Sequence, residues 1–322
     1  MKRLILIICI LFSSVFLQEK AVEIKPPRGY YNYTFIKWAV SLGWLELVNT
    51  KPAIPNTIAA SQDIIYKKTD HRQLKLDIFK NKSLSKPAPL IIFIHGGSWT
   101  KGDKKDYFAY CLPYAEKGYV TASLSYRFSQ EAIFPAALED IICGIQWLKK
   151  HSDEYGIDSS RVALVGGSAG GHLAMMAAYT ADEPIFNSDC DDSDISTTVQ
   201  AIVNIYGPSD LTTDFAISQS ATPKFMGTTF DENPNKYKEA SPFIYISNND
   251  PPTLIFHGTI DKIVPVAQSD FLAKELKKYN VYHEYHRLKG WPHTMDVAVP
   301  VNIYTQLVMD RFFQKWLRGD NN

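Results

Sequence analysis

Between residues 162 and 178 the chain passes from Val162-Ala163-Leu164-Val165, through Gly166-Gly167-Ser168-Ala169-Gly170-Gly171, into His172-Leu173-Ala174-Met175-Met176-Ala177-Ala178. An apolar run, a glycine-flanked serine and a small-residue helical pattern predict strand, sharp turn and helix, with Ser168 at the apex. A turn this tight strains the serine backbone and lifts its hydroxyl clear of the sheet. Glycine is needed two residues to either side, because a side chain there would strike the neighbouring strand or helix. The competing reading is a helix N-terminus that needs only a small residue and a cap. The rest of the chain has to decide between the two.

The surrounding pattern supplies a sheet for such a turn. Asp63–Tyr66 and Leu74–Phe79 read as an antiparallel strand pair, the second alternating apolar and polar side chains;. Leu90–Ile94 is uniformly apolar, as a strand covered on both faces should be;. Further strands are expected at 119–124, 199–206, 253–256 and 282–285. Helices are expected at 107–115, 136–150, 266–278 and 303–317. Alternation at this spacing predicts an α/β fold, a mostly parallel sheet with helices on both faces.

The expected organisation is a signal peptide over 1–20, an N-terminal extension over 21–61 and a catalytic domain over 62–322. Met1-Lys2-Arg3 is a short basic head, and residues 4–17 are almost wholly apolar, which is a secretory signature;. The run is shorter than the ~20 residues of a membrane-spanning helix. A secreted or periplasmic location is therefore expected, with an uncleaved N-terminal anchor as the alternative. The extension is rich in aromatics, and 36–48 reads as a short helix. Asn32-Tyr33-Thr34 fits a glycosylation acceptor;. An acidic stretch at 182–198 reads as a solvated loop. The proline-rich segment 207–250 is expected to act as a lid over the sheet's C-terminal edge.

Lys+Arg and Asp+Glu both number 34, so nothing points to nucleic acid;. Of the four cysteines, Cys9 falls in the apolar head, leaving Cys111, Cys143 and Cys190, with room for at most one disulfide among them;.

A serine hydroxyl attacks only when a base takes its proton, and that base needs a carboxylate to fix its tautomer. With the serine on such a turn, the acid and then the histidine follow it in the chain. Among eight histidines, His71, His95, His151 and His172 come too early, and His257 precedes the best acid. His293, in Lys289-Gly290-Trp291-Pro292-His293, lies on a loop after a strand. His283 and His286 lie on or beside that strand and are the weaker candidates. Asp261 sits just past the strand 253–256. Asp210 reads as a loop or cap residue, Asp270 lies inside the next helix, and Asp296 follows His293 in the wrong order. His95-Gly96-Gly97-Ser98-Trp99, directly after a strand, can bring backbone N–H groups close to a developing oxyanion.

Together, His95–Trp99, Gly166–His172, His257-Gly258-x-x-Asp261-x-x-Val264-Pro265 and His293 resemble the α/β-hydrolase esterases. They are most similar to the hormone-sensitive-lipase-like and feruloyl- or acetylxylan-esterase-like branch. Tyr126-Arg127 and Phe134-Pro135-Ala136 resemble it too, and the similarity covers roughly 62–317. The resemblance implies an eight-stranded sheet and no metal or organic cofactor. It makes Ser168 the nucleophile, His293 the base, Asp261 its orienting acid, and Gly97, Ser98 and Ala169 the oxyanion donors. Ser98 departs from a third glycine often found in lipase-like members.

The expected partner is a small-molecule or carbohydrate-linked ester, with no nucleic acid and no stable membrane partner; the oligomeric state stays open. A serine peptidase or an aryl-formamide hydrolase of the same fold remains an alternative, as does a non-catalytic binding module.

Overall fold

The computed structural model describes residues 24–181, 186, 190 and 194–319. The apolar head and most of the acidic stretch lie outside the described residues. Eight strands form a single sheet: β1 (Ile58–Lys68), β2 (Gln73–Asn81), β3 (Ala88–Ile94), β4 (Val120–Leu124), β5 (Ile157–Gly167), β6 (Ala201–Ile205), β7 (Thr253–Gly258) and β8 (His283–Leu288). Their order is β1-β2-β4-β3-β5-β6-β7-β8. β2 runs antiparallel to both β1 and β4, and every later pairing is parallel. The first strand starts at Ile58, four residues ahead of the sequence-based domain boundary, and pairs there with Asn81.

Among the described residues the α-helices are α1 (Tyr33–Ser41), α2 (Phe108–Glu116), α3 (Ala136–Lys150), the single turn α4 (Ser152–Tyr155), α5 (Ala169–Tyr179), α6 (Asp214–Ser218), α7 (Ala221–Met226), α8 (Pro234–Glu239), α9 (Ala267–Lys278) and α10 (Val299–Phe313). The uniformly apolar β3 shows why both faces must be covered. Leu90, Ile92 and Ile94 enter one core with Leu138 and Ile141 of α3 and Leu173 of α5. Ile91 and Phe93 enter the other, with Tyr110 and Tyr114 of α2 and Phe312 and Phe313 of α10. All five strand side chains are fully buried. Each such burial is worth ~1.5–3 kcal/mol, so neither helical layer is dispensable.

Two expected helices moved. The sequence suggests a helix over 36–48, but α1 begins at Tyr33 because Asn32 caps it, its Oδ1 accepting from Thr34 and Phe35 N–H at 2.9 and 3.2 Å. It ends at Ser41, and Gly43, with φ of +71°, turns the chain just beyond so that Leu45 is buried. The side chain of the glycosylation-type Asn32 is thus occupied as a cap. The closing helix starts at Val299, four residues early, with proline in its first turn. Residues 24–57 pack on the sheet's second core through Tyr30 N–H to Gly290 O at 2.9 Å and Trp291 Nε1–H to Pro27 O at 3.0 Å. The 207–250 segment folds as α6, α7, α8 and a 3-10 turn at Pro242–Tyr245.

Candidate active site

Strand β5 ends at the glycine-flanked serine in the middle of the sheet. Ser168 has φ 55° and ψ −123°, a conformation that L-residues avoid, and α5 starts at the next residue;. A Cβ on Gly166 would stand 2.2 Å from Gly170 O, and one on Gly170 would stand 2.0 Å from Ile94 O. The two glycines are therefore steric requirements of a helix packed hard against its own strand and against the end of neighbouring β3. Ser168 N–H donates to Ile205 O of β6 at 2.9 Å, which ties the turn to the sheet.

His293 arrives from the loop after β8. Its Nε2 lies 3.0 Å from Ser168 Oγ, and its Nδ1 lies 2.6 Å from Asp261 Oδ2. A carboxylate only accepts, so Nδ1 carries a proton and Nε2 faces the serine hydroxyl. Asp261 follows β7 and is buried. Its second oxygen accepts from the Ile263 and Val264 N–H groups at 2.8 and 2.9 Å. Burial alone would raise its pKa. Hydrogen bonds from His257 and His293 outweigh that and hold the carboxyl at about 2.

His257 is a residue the sequence reading did not assign. It is fully buried at the end of β7, with Nε2 2.8 Å from Val264 O and 3.2 Å from Asp261 Oδ2. Both neighbours only accept, so Nε2 bears the proton. Nδ1 lies 2.7 Å from Ser269 Oγ, which can donate to it. The spacing His257-x-x-x-Asp261 was visible in the sequence, but only the closed turn shows that the first residue braces the second.

The His95–Trp99 loop crosses the turn from β3. Gly97, Ser98 and Trp99 have φ of 116°, 55° and 56°, an unusual run that rotates successive peptides. His95 is buried and donates from Nδ1 to Gly96 O at 2.8 Å. Tyr126 OH donates to His95 O at 2.9 Å, so the tyrosine after β4 braces the loop. Trp99 Nε1–H donates to His172 Nδ1 at 3.3 Å, and His172 Nε2–H to Ala240 O at 2.7 Å. The Trp99 indole also stacks on Phe225 of α7, centroids 4.5 Å apart. His172 therefore joins the glycine-rich loop, α5 and the 207–250 segment; burial lowers its pKa to about 4.

Ser168 opens onto two unequal spaces. A small apolar cavity of about 40 Å³ is lined by Ser98, Trp99, Ala169, Leu211, Phe215 and Val264, among others, and does not include His293. A cleft of about 580 Å³, also lined by Ser168, includes His293, Gly97, Ser98, Lys101, Asp106 and Asp296. Asp296 stands at its buried end. It accepts hydrogen bonds from Tyr206 OH and from Tyr110 OH. Burial pushes its carboxyl above the ordinary range against those bonds. The Tyr206 ring lies 4.5 Å from the His293 ring, so this network backs the imidazole.

The remaining sequence candidates are engaged elsewhere. His283 Nδ1 lies 3.0 Å from Val281 O, and His286 Nδ1 lies 2.7 Å from Tyr304 OH. Asp210 Oδ1 accepts from Thr212 N–H at 2.8 Å. Asp270 accepts from Tyr285 OH at 2.8 Å and Arg287 Nε at 3.1 Å. None of these four side chains bonds to Ser168, His293 or Asp261.

Residues 76–276 match the BD-FAE family, well over half of the chain. The chain belongs to the BD-FAE family. It is 31% identical over 251 residues to the esterase LipQ of Mycobacterium tuberculosis, covering 76% of this chain and 59% of that one. It is 31% identical over 209 residues to the esterase LipC of the same organism, covering 63% and 52%. The chain thus spans about half the length of the curated relatives it matches. The BD-FAE member also shares its fold with the Thermogutta terrifontis esterase Est2, at TM-score 0.70 and 25% identity, covering 81% and 94%. The α/β-hydrolase architecture suggested by the sequence is therefore the one observed.

Proposed function

We propose that the chain hydrolyses carboxylic esters through an acyl-enzyme on Ser168. The observation that carries this is the unbroken line Ser168 Oγ, His293, Asp261, at 3.0 and 2.6 Å, with the serine on a strained turn. Ser168 Oγ attacks the ester carbonyl while His293 Nε2 takes its proton. The N–H groups of Gly97, Ser98 and Ala169 stabilise the oxyanion, each worth ~3 kcal/mol in the transition state. Collapse breaks the bond to the alcohol, which leaves with the proton from His293. Water then repeats the sequence and frees the acid. Asp261 stays ionised and holds the imidazolium that forms in each half.

The leaving oxygen must lie within reach of His293 Nε2, so the alcohol occupies the 580 Å³ cleft that includes His293. The acyl group then fills the 40 Å³ apolar cavity against Ala169 and Trp99. That space holds only a few water-sized groups, which favours short acyl chains. Polar side chains in the larger cleft suit a hydroxyl-bearing alcohol. The esterase names of the mycobacterial relatives support this reading, as do the Est2 structures described as phosphonylated by sarin and cyclosarin. Ala169 beside the serine, in place of an aromatic residue, favours ester over peptide substrates.

Export is the location we propose. Cys143 and Cys190 form a disulfide, a bond typical of oxidising compartments. Turnover of p-nitrophenyl acetate, butyrate and octanoate by wild type and Ser168→Ala tests the whole reading. The expected result is activity falling with chain length and at least ~10⁴-fold loss in the variant. Wild-type rates in Ser168→Ala would sink it. Faster cleavage of an N-formyl anilide than of any ester would move the assignment to an aryl-formamide hydrolase.

A further inference from the structure

Helix α1 carries a second apolar face that the proposed reaction does not use. Its inner side, Ile36 and Ala39, is buried against the core. On the other side Phe35, Trp38 and Leu42, at spacings of three and four, are 47%, 59% and 58% exposed;. Phe35 and Trp38 already touch edge to face, with centroids 5.8 Å apart. Tyr31 and Trp44 flank the strip in the chain, 87% and 77% exposed. A helix needs one apolar face to dock on its own domain. A second, contiguous and aromatic, marks a contact surface.

We propose that this strip seats the protein on a lipid bilayer surface, with the catalytic cleft opening beside it. Three observations favour lipid over a protein partner. Trp, Tyr and Phe with an adjacent lysine are the side chains that settle at a membrane interface; here Lys37 Nζ lies 5.0 Å over the Tyr33 ring. The apolar run of residues 4–17, headed by Lys2 and Arg3, is at the same end of the chain. Only six residues lie between Leu17 and Ile24, at most ~25 Å of extended chain, so that run, where it stays uncleaved as an anchor, keeps α1 at the bilayer. Finally, a groove of about 370 Å³ runs between α1 and the loop that bears His293, with Ile36, Val40 and Leu45 on one wall and Trp291 and Met295 on the other. An ester dissolved in lipid would meet the base's side of the site first. No helix among the described residues is long and apolar enough to cross a membrane, so the contact made by α1 itself is peripheral.

The test uses the full chain with phosphatidylcholine–phosphatidylglycerol vesicles whose acyl chains carry bromine, which quenches an indole only near contact. Of the six tryptophans, Trp38 and Trp44 are exposed. Wild-type fluorescence is expected to fall on adding vesicles. The fall should vanish in Trp38→Phe/Trp44→Phe, which keeps an apolar strip but removes the reporters. It should also drop severalfold in Phe35→Glu/Leu42→Glu, which keeps both indoles. Hydrolysis of p-nitrophenyl acetate in water, read in the same samples, should be unchanged in both variants. That separates failure of docking from failure of the reaction assigned to Ser168. The proposal is overturned if vesicles bind without quenching, if they do not bind, or if Phe35→Glu/Leu42→Glu is quenched like wild type. A lipid-free dimer that the same variant dissociates would assign the strip to a second copy and overturn it as well.

Discussion

Asp261 illustrates how much chemistry one carboxylate can be made to carry. Four hydrogen bonds converge on it, two from backbone N–H groups and two from imidazoles. They hold its pKa at about 2, below the ordinary 3.8. A depressed carboxylate adds stability at pH values above 3.8, and that stability is lost as pH falls through 3.8 toward 2. The contribution is ~2 kcal/mol, to be read as a falling thermal midpoint in acid that Asp261→Asn does not share over the same interval. In the proposed mechanism the same substitution removes the charge that stabilises the imidazolium, and it should lower kcat by ~10⁴-fold with KM little changed. A comparable kcat in Asp261→Asn would show that another group orients His293. The residue types for this site were legible because serine, acid and histidine must come in that order on this turn. His257 and Asp296 were not. One precedes the acid and the other follows the base, and only folding reveals that each supports a neighbour.

At the scale of elements, His172 couples three of them: the glycine-rich loop through Trp99, α5 on which it sits, and the 207–250 segment through Ala240. Its neutral form is required, because Nδ1 must accept from the indole. Burial sets its pKa at about 4, against ~6.5 for an unperturbed histidine. The neutral form adds stability above pH 6.5, and this is lost as pH falls through 6.5 to about 4, roughly 3 kcal/mol in all. Differential scanning calorimetry from pH 7 to 4 should show a steeper loss of midpoint in wild type than in His172→Gln. Equal slopes would remove His172 from the account. Phe215, between β6 and α7, supplies a wall of the small cavity. Phe215→Ala should raise kcat/KM for the butyrate ester relative to acetate by ~10-fold, the worth of one or two accommodated methylenes. An unchanged ratio would place the acyl group in the larger cleft. The strands and long helices were readable from their periodicity. The boundaries of α1 were set by an asparagine cap and a positive-φ glycine, local devices that periodicity does not weigh.

Across the whole molecule, the Cys143–Cys190 bond ties α3 to the segment beyond α5, closing 47 residues of sequence. Chain-entropy reasoning makes that worth ~4 kcal/mol, by limiting the unfolded ensemble. Cys143→Ser/Cys190→Ser should lower the thermal midpoint by several degrees, with esterase kcat/KM at 25 °C within twofold of wild type. The third cysteine, Cys111, is buried in α2 and its thiol pKa is pushed up by burial, so it should resist alkylation until the protein unfolds;. The three cysteines outside the apolar head allowed one bond but could not choose the pair, because spacing says nothing about which Cα atoms come within the 5.2 Å seen here;.

Local rules are written in the chain. An apolar run alternating with amphipathic helices must become a covered parallel sheet, and a serine between glycines at a strand end must sit on a strained turn. Those followed from backbone sterics and from the need to bury apolar surface, both of which act over a few residues. What the tertiary structure decided was longer in range. It set 3.0 Å between residues 125 positions apart, the two unequal spaces beside Ser168, the buried supports behind His293 and Asp261, and an outward aromatic face on α1. None of these is a property of a segment. Each depends on which surfaces remain after the sheet has packed, and periodicity cannot report that.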